Sequence, residues 1–323
     1  MSLVAEKSAN NLDPERMLEQ EKLEIAEGFK SAPKTISPKY FYDERGSRLF
    51  DEICNLPEYY PTRTERRIMR QHLPEIARLV GPRAAVIEFG AGSSRKARQL
   101  LRQLDSPAAY VPVEISGEYL VDQAAELQHE FPDLSIKPVV ADFTKPFDLP
   151  SHAEEPLRNL IFFPGSTIGN FTRTDAKNLL EVMRCEAKQD GALLIGVDLI
   201  KDLDVVLPAY NDSQGVTADF NLNALRHLNK GIGANFDPAN FEHQAVYDSN
   251  HQRVEMRLVS LTRHAVRLPG QTIQFDEGEF IVTEYSHKYS VAGFRNLAKE
   301  AGWTCDSTWI DEDQLFSVHF LTA

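Results

Sequence analysis

The sequence predicts an α/β protein: a mostly parallel, Rossmann-like sheet covered by helices, joined to a second unit of α+β type. Three observations point there. From Thr64 to about residue 199, short apolar runs alternate with helical stretches, the signature of buried parallel strands joined by helices. Near residue 200 that alternation stops, and a polar, helical stretch runs to about residue 240. From Phe241 onward, period-two segments follow one another without helices between them, which belongs to an antiparallel sheet.

The expected elements follow in chain order. Residues 1–11 read as a frayed end. Asp13-Pro14 offers an N-cap followed by proline at the first helical position. Met17, Leu18, Leu23, Ile25, Ala26 and Phe29 give that helix an apolar face. Residues 31–63 are rich in Pro, Tyr and Phe and mix short helices with loops; so many aromatics pack on something or line a pocket. Residues 65–79 are helical. Ala84–Phe89 is a buried strand ended by glycines, 95–104 a helix, 109–115 a second strand, and Ser116 caps a helix to about Phe131. Residues 135–140, 159–163 and 192–197 are further strands, with a helix over 174–188. Then come antiparallel strands at 241–248, 252–266 and 272–286, with a hairpin turn at Asp248-Ser249-Asn250. Ser290 caps a last helix that Gly302 stops, and strands at 304–310 and 315–321 return to the edge of the parallel sheet. This places residues 64–199 and 288–323 in one domain and 1–63 and 200–287 in a second, lid-like substrate domain, with a pocket between them.

Composition excludes several classes. The 323 residues hold 35 Lys and Arg against 48 Asp and Glu, a net charge of −13. That balance disfavours a sequence-independent grip on nucleic acid and docking on anionic lipid. Cys54, Cys185 and Cys305 lie far apart, with no zinc or redox spacing. They read as reduced thiols. The first eleven residues lack an apolar signal core, and no apolar run approaches ~18 residues. The expectation is a cytoplasmic protein that takes a small molecule, with no metal, no membrane and no nucleic acid, acting as a monomer.

The most informative local motif is Glu88-Phe89-Gly90-Ala91-Gly92-Ser93-Ser94, placed where a buried strand meets a helix. Glycines there let the backbone approach a ligand, although a plain strand-to-helix turn uses them equally well. The second strand ends at Glu114, where an acid can accept both hydroxyls of a ribose. This fits a nicotinamide dinucleotide and S-adenosylmethionine alike. Arg95 occupies the place of the third glycine that pyrophosphate binders need for close helix packing. Asp142-Phe143 follows the third strand, where a carboxylate can accept an adenine amino group and the ring can hold the purine. Together these sites look like a class I methyltransferase. Lys96, one turn into the helix, can meet the methionine carboxylate, or be a solvated helix lysine. The loop after the fourth strand, Pro164-Gly165-Ser166-Thr167-Ile168-Gly169-Asn170-Phe171, is where such enzymes place substrate groups, and Asn170 supplies both a donor and an acceptor.

Eight segments carry a wider resemblance: KYFYDERGSRLFDEI, LPEYYPTRTE, EFGAGSSRK, PGSTIGNF, GVDLIKD, AYND followed by GVTADFN, EMRL and TEYSHKY. In this order they resemble the histidine-specific Nα-methyltransferases of ergothioneine biosynthesis, over about residues 25–323. The resemblance implies three successive methyl transfers from S-adenosylmethionine to L-histidine and its methylated forms, ending in hercynine. It implies that Gly90, Lys96, Glu114, Asp142 and Phe143 hold the cofactor. Tyr59, Gly165, Asn170 and Tyr210 then serve the amino acid's carboxylate and amine, with Tyr42 and Asn170 orienting the amine for catalysis. Glu284 and Ser286 bond the imidazole, with Met256 beside it. Glu114 stands where close relatives carry Asp; Glu is the longer acid, with the same contact chemistry. Related enzymes on the same scaffold methylate a prenylated tryptophan.

Glu284 and Ser286, two apart on a strand, point to one face and can serve an imidazole's donor and acceptor. An indole lacks the acceptor and would leave a buried carboxylate uncompensated. On pattern alone the pair is also the polar face of a half-exposed strand. A tryptophan-type substrate, a non-catalytic sensor and a dinucleotide oxidoreductase are the alternatives, the last disfavoured by Arg95 and Asp142-Phe143.

Overall fold

The computed structural model describes residues 14–92, 94–115, 117–145, 147–151 and 155–323. The expected cap at Asp13, the frayed end at 1–11, the expected cap at Ser116 and Ser93 of the glycine motif lie outside the described residues. The chain divides into two compact units. One comprises Pro61–Ile200 and Tyr289–Ala323; the other comprises 14–60 and Lys201–Lys288.

The first unit is built on an eight-stranded sheet. Ala84–Phe89 lies at its centre, parallel to Ala109–Glu114 on one side and to Arg158–Phe163 on the other. Ala192–Asp198 continues in parallel beyond Arg158–Phe163. Phe316–Thr322 then inserts antiparallel between Ala192–Asp198 and Thr304–Ile310. That is the class I methyltransferase fold, and the closing hairpin returns to the sheet edge as expected. Every residue of Ala84–Phe89 and of Ala192–Asp198 is buried. Successive residues serve opposite faces. Val86, Leu160 and Leu194 pack with Ile68, Ile76 and Leu100, whereas Ile87, Ile161 and Leu193 pack with Leu179, Phe294 and Leu297. Covering both faces is what makes these strands continuous apolar runs in the sequence.

One expected strand is broken. Residues 135–140 form two short pieces, Ser135–Ile136 and Val139–Val140, each paired with Ala109–Glu114. Pro138 between them has no N–H to give a ladder.

The second unit contains a four-stranded sheet. Lys34–Thr35 lies at one edge, followed by Phe280–His287, Arg253–Ser260 and Phe241–Asp248. The two-residue edge strand, parallel to Phe280–His287, was too short to read from pattern. The expected strands at 252–266 and 272–286 are each divided. Arg253–Ser260 and His264–Leu268 are separate, as are Gln271–Phe275 and Phe280–His287. The cause is local. Gly278, at φ +80°, donates its N–H to Ser260 O, and Ser260 Oγ turns to donate to Thr262 O, so the long ladder ends there. Among the described residues, His264–Leu268 and Gln271–Phe275 form a ladder only with each other. The helices Glu44–Ile53 and Val216–Ile232 bring Phe50 and Phe220 together beside Phe41 and Tyr42. In the helix Pro14–Lys30, Ile25 and Phe29 are buried, but Leu23 faces solvent, so the expected apolar face is narrower than the sequence reads.

Candidate active site

In an open α/β sheet, ligands lie outside the carboxyl ends of the strands where the strand order reverses. Here that point lies between Ala84–Phe89 and Arg158–Phe163. Both strands run into glycines held at positive φ: Gly90 at +73° and Gly165 at +87°. The N–H groups of Gly90 and Ala91 donate to Val113 O at 2.9 and 3.1 Å, tying the turn to the end of the neighbouring strand. A β-carbon on Gly90 would stand 3.4 Å from the Phe143 ring, and one on Gly165 would stand 3.2 Å from Lys96 Nζ. Glycine therefore keeps two small spaces open beside an aromatic ring and a cation.

The acids take distinct positions in this unit. Glu114 ends its strand, and its Oε1 accepts from Ile115 N at 2.8 Å. Asp142 Oδ1 accepts from Thr144 Oγ1 at 2.6 Å and from Thr144 N at 3.1 Å. Burial pushes the Asp142 carboxyl up, but the Thr144 and Lys145 bonds outweigh it and hold the group below the usual range, so it stays ionised. Phe143 packs on Phe89 and Phe163, with ring centroids 5.8 and 5.9 Å apart.

Lys96 is anchored. Its ammonium pairs with Glu65 Oε2, while Glu65 Oε1 accepts from Gly165 N at 2.8 Å. Glu65 is 2% exposed and comes from the helix Tyr60–Val80. It sits where Gly196 lacks a side chain; a β-carbon there would collide with the carboxylate. One acid thus ties the helix after the Gly90 turn to the Gly165 loop. Glu65→Gln keeps an acceptor for Gly165 N and removes the ion pair. We expect it to lower the stability of the protein by on the order of 1–3 kcal/mol, read as a drop in Tm by calorimetry, whereas an unchanged Tm would mean that the pair is structurally idle.

Asn170 closes the short helical turn Thr167–Asn170 and is half-buried. Ser166, which begins that turn at φ 60°, accepts from Asp198 N through its Oγ at 2.8 Å, so the loop is fixed to the next strand.

In the second unit the remaining expected residues form one cluster. Glu284 pairs across the ladder with Met256, so the two side chains share a face, and Ser286 follows on that face. Ser286 Oγ and Tyr210 Oη are 2.7 Å apart. Tyr59 and Tyr210 have ring centroids 6.4 Å apart; Phe50 links Tyr59 to Tyr42 at 6.2 and 5.7 Å. Burial chiefly, with Tyr210, Cys54, Glu284 and Tyr42 around it, raises the Tyr59 phenol well above its ordinary value. Tyr59 therefore remains a neutral donor throughout the working range. Burial pushes the Glu284 carboxyl up to about 7, with Lys288 pulling it down. Tyr210 is held from behind. His243 Nε2 donates to Tyr210 O at 2.8 Å, and Asn221 Nδ2 donates to His243 Nδ1 at 2.8 Å. Burial lowers the His243 pKa, so the ring is neutral and this tautomer is consistent with both bonds.

The model of the family "histidine-specific methyltransferase, SAM-dependent" matches residues 20–323. The chain belongs to this family. A histidine N-alpha-methyltransferase of Mycolicibacterium smegmatis is 36% identical over 308 residues, covering 94% of this chain and 95% of that protein. Ergothioneine biosynthesis protein 1 of Neurospora crassa is 29% identical and covers 93% of this chain but 35% of its own length. An L-tryptophan methyltransferase of Psilocybe serbica is 26% identical over 93% of this chain and 92% of that one. The chain is thus an S-adenosylmethionine-dependent histidine N-methyltransferase.

The residues of this histidine methyltransferase fit its cofactor. Two glycine cradles, an ionised Asp142 beside an aromatic ring, a strand-end acid and an anchored ammonium match an adenine, a ribose and an amino-acid carboxylate in kind. Among the described residues no group of three or more His, Cys, Asp or Glu could hold a metal ion. No helix among them is long and apolar enough to cross a membrane.

Four buried polar residues beside the expected ones were given no role from the sequence: Glu65, Glu88, His243 and Lys288. Glu65 and Lys288 lie inside the quoted LPEYYPTRTE and TEYSHKY segments, and Lys288 continues the two-residue spacing of Glu284 and Ser286. That spacing was the available signal. Nothing local marks His243.

Proposed function

We propose that this enzyme adds three methyl groups in succession to the α-amine of L-histidine, giving hercynine in ergothioneine biosynthesis. In this reading residues 64–199 and 288–323 form the cofactor domain, and 1–63 and 200–287 the substrate domain. Gly90, Lys96, Glu114, Asp142 and Phe143 hold the cofactor. Tyr59, Gly165, Asn170 and Tyr210 serve the amino acid's polar end. Glu284, Ser286 and Met256 hold the ring.

The observation that carries the reading is the shared face of Glu284, Ser286 and Met256, with Tyr59 and Tyr210 in the same cluster. An acid and a hydroxyl meet the two nitrogens of an imidazole, and the neutral Tyr59 phenol donates to a carboxylate. The name of the tryptophan enzyme favours the second reading, an aromatic amino acid of indole type, but an indole has no ring acceptor to meet the Ser286 hydroxyl.

S-adenosylmethionine supplies a methyl group on a positively charged sulfur. The chain's own work is alignment, holding the amine ~3–3.5 Å from the carbon it attacks. The amine must be neutral; an α-amino group titrates near ~8, so Tyr42 and Asn170 need only orient it. Three rounds require that the nitrogen turn between them, so few strong contacts should hold it. The reading includes a monomer, and a cytoplasmic location that three free thiols support.

Mass spectrometry of reactions with histidine and tryptophan side by side tests this. The expected products are mono-, di- and trimethylated histidine, with the methyls on the amine. Methylation of tryptophan alone would overturn the substrate, and a halt at one or two methyls would overturn the three-step course.

A further inference from the structure

Lys288 lies on the face of Glu284 and Ser286, just past the strand Phe280–His287, and is 3% exposed. Its Nζ donates to Tyr210 Oη at 2.7 Å and to Ser286 Oγ at 2.7 Å, and those two oxygens are 2.7 Å from each other. An ammonium has only donors, so both hydroxyl oxygens accept from it. The contact between the hydroxyls uses one of their protons. A phenol is far more acidic than an alkyl hydroxyl and is the better donor, so Tyr210 donates to Ser286. Ser286 Oγ then accepts twice, which occupies both lone pairs. What Ser286 has left to offer a ligand is its own O–H.

We infer that Lys288 is a positioning residue for ring recognition: it makes Ser286 an obligate donor, so that the site selects the neutral imidazole, its N–H on Glu284 and its bare nitrogen on Ser286. The inference rests on the assignment of Glu284 and Ser286 to the ring. An imidazolium has two N–H groups and no acceptor. It would set N–H against O–H and bring a second positive charge near Lys288. The charged and titratable groups around Glu284 agree. Lys288, the neutral phenol of Tyr59, and Tyr210 belong to its side of the sheet. Glu255, opposite Tyr285, takes the other face, where it pairs with Arg253 and Arg257; His287 alternates to that face as well.

The test compares histidine with a pyrrolylalanine, which keeps a ring N–H and lacks the second nitrogen. Wild-type enzyme should bind the analogue about tenfold more weakly, the worth of one hydrogen bond to a buried polar group. In Lys288→Met a lone pair of Ser286 is freed and the hydroxyl need no longer donate, so that ratio should fall several-fold, and KM for histidine should rise with kcat changed far less. The acid limb of kcat/KM, which in wild type contains ring protonation near ~6.5, should move to lower pH. Lys288→Gln keeps N–H donors and should retain part of the discrimination. S-adenosylhomocysteine binding by calorimetry reports that each variant is folded. Equal affinity of the wild type for histidine and the analogue overturns the inference without any variant, while leaving histidine methylation intact. So does a folded Lys288→Met enzyme with unchanged discrimination and an unmoved acid limb. A wild type that fails to methylate histidine overturns the underlying reading instead.

Discussion

Glu284→Ala is expected to weaken histidine binding by about 10- to 100-fold and to leave S-adenosylmethionine binding unchanged. The contact proposed for Glu284 is a charge-assisted hydrogen bond in a half-buried site, and the proposed cofactor contacts all belong to the other unit of the chain. Calorimetric titration of each ligand separates the two affinities. Equal loss for both would mean that the substitution damages the fold, and no loss for histidine would remove Glu284 from the ring. The effect should depend on pH in a defined sense. Burial raises the Glu284 carboxyl to about 7. Below that value the group is protonated and no longer a full acceptor, so histidine binding should strengthen between pH 6 and 8. The substrate's amine and ring push in the same direction, as both must lose a proton. Glu284→Gln isolates the enzyme's share, since the variant keeps the substrate's ionisations and loses its own. An identical pH profile for Gln and wild type would show that Glu284 does not titrate in the binding step.

The parallel half of the fold was legible because its strands are buried on both faces. AAVIEF and ALLIGVD announce themselves as apolar runs between helices. Elements that depend on partners were not. Lys34–Thr35 is a strand only because Phe280–His287 lies beside it. The breaks at 261–263 and 276–279 depend on Ser260 and Gly278 meeting across a turn.

The same distinction governs the site. The glycine turn and the acids at strand ends follow from local spacing. Glu284 and Ser286 read as a polar face, and only the family resemblance gave that face a ligand. Lys288 continues the pattern, yet a lysine at a strand end is ordinarily solvated. Its burial among hydroxyls depends on Tyr210, 78 residues away. Glu65 is legible even less, since its partners Lys96 and Gly165 lie 31 and 100 residues further along. No period or composition carries contacts of that span.

Glu88→Gln is expected to stabilise the protein at pH 8 and to change it little at pH 5. Glu88 is 3% exposed, within a strand whose six residues are all buried. Burial pushes its carboxyl up to about 7 from an ordinary 4.5, against the opposing pull of the Tyr110 hydroxyl bond and of Lys96. The folded state therefore holds this proton more tightly than the unfolded chain does. Its stabilising contribution is complete below about 4.5 and is lost as pH rises through about 7. Above that range the ionised acid costs about 3 kcal/mol relative to its solvated form. Glutamine is uncharged throughout and still accepts from Tyr110. The gap in unfolding free energy between variant and wild type should therefore widen between pH 5 and pH 8, measured by urea denaturation at both. Parallel stabilities would mean that Glu88 does not carry its proton into the folded state. Cofactor affinity gives the assay a second meaning. Tyr110 also contacts Ser94 at 3.2 Å, where the helix after the glycine turn begins, so Glu88 touches the machinery of that turn. A variant more stable at pH 8 but weaker for S-adenosylmethionine would locate the use of the buried acid in holding that turn. A variant improved in stability and unchanged in affinity would leave Glu88 a cost without a return.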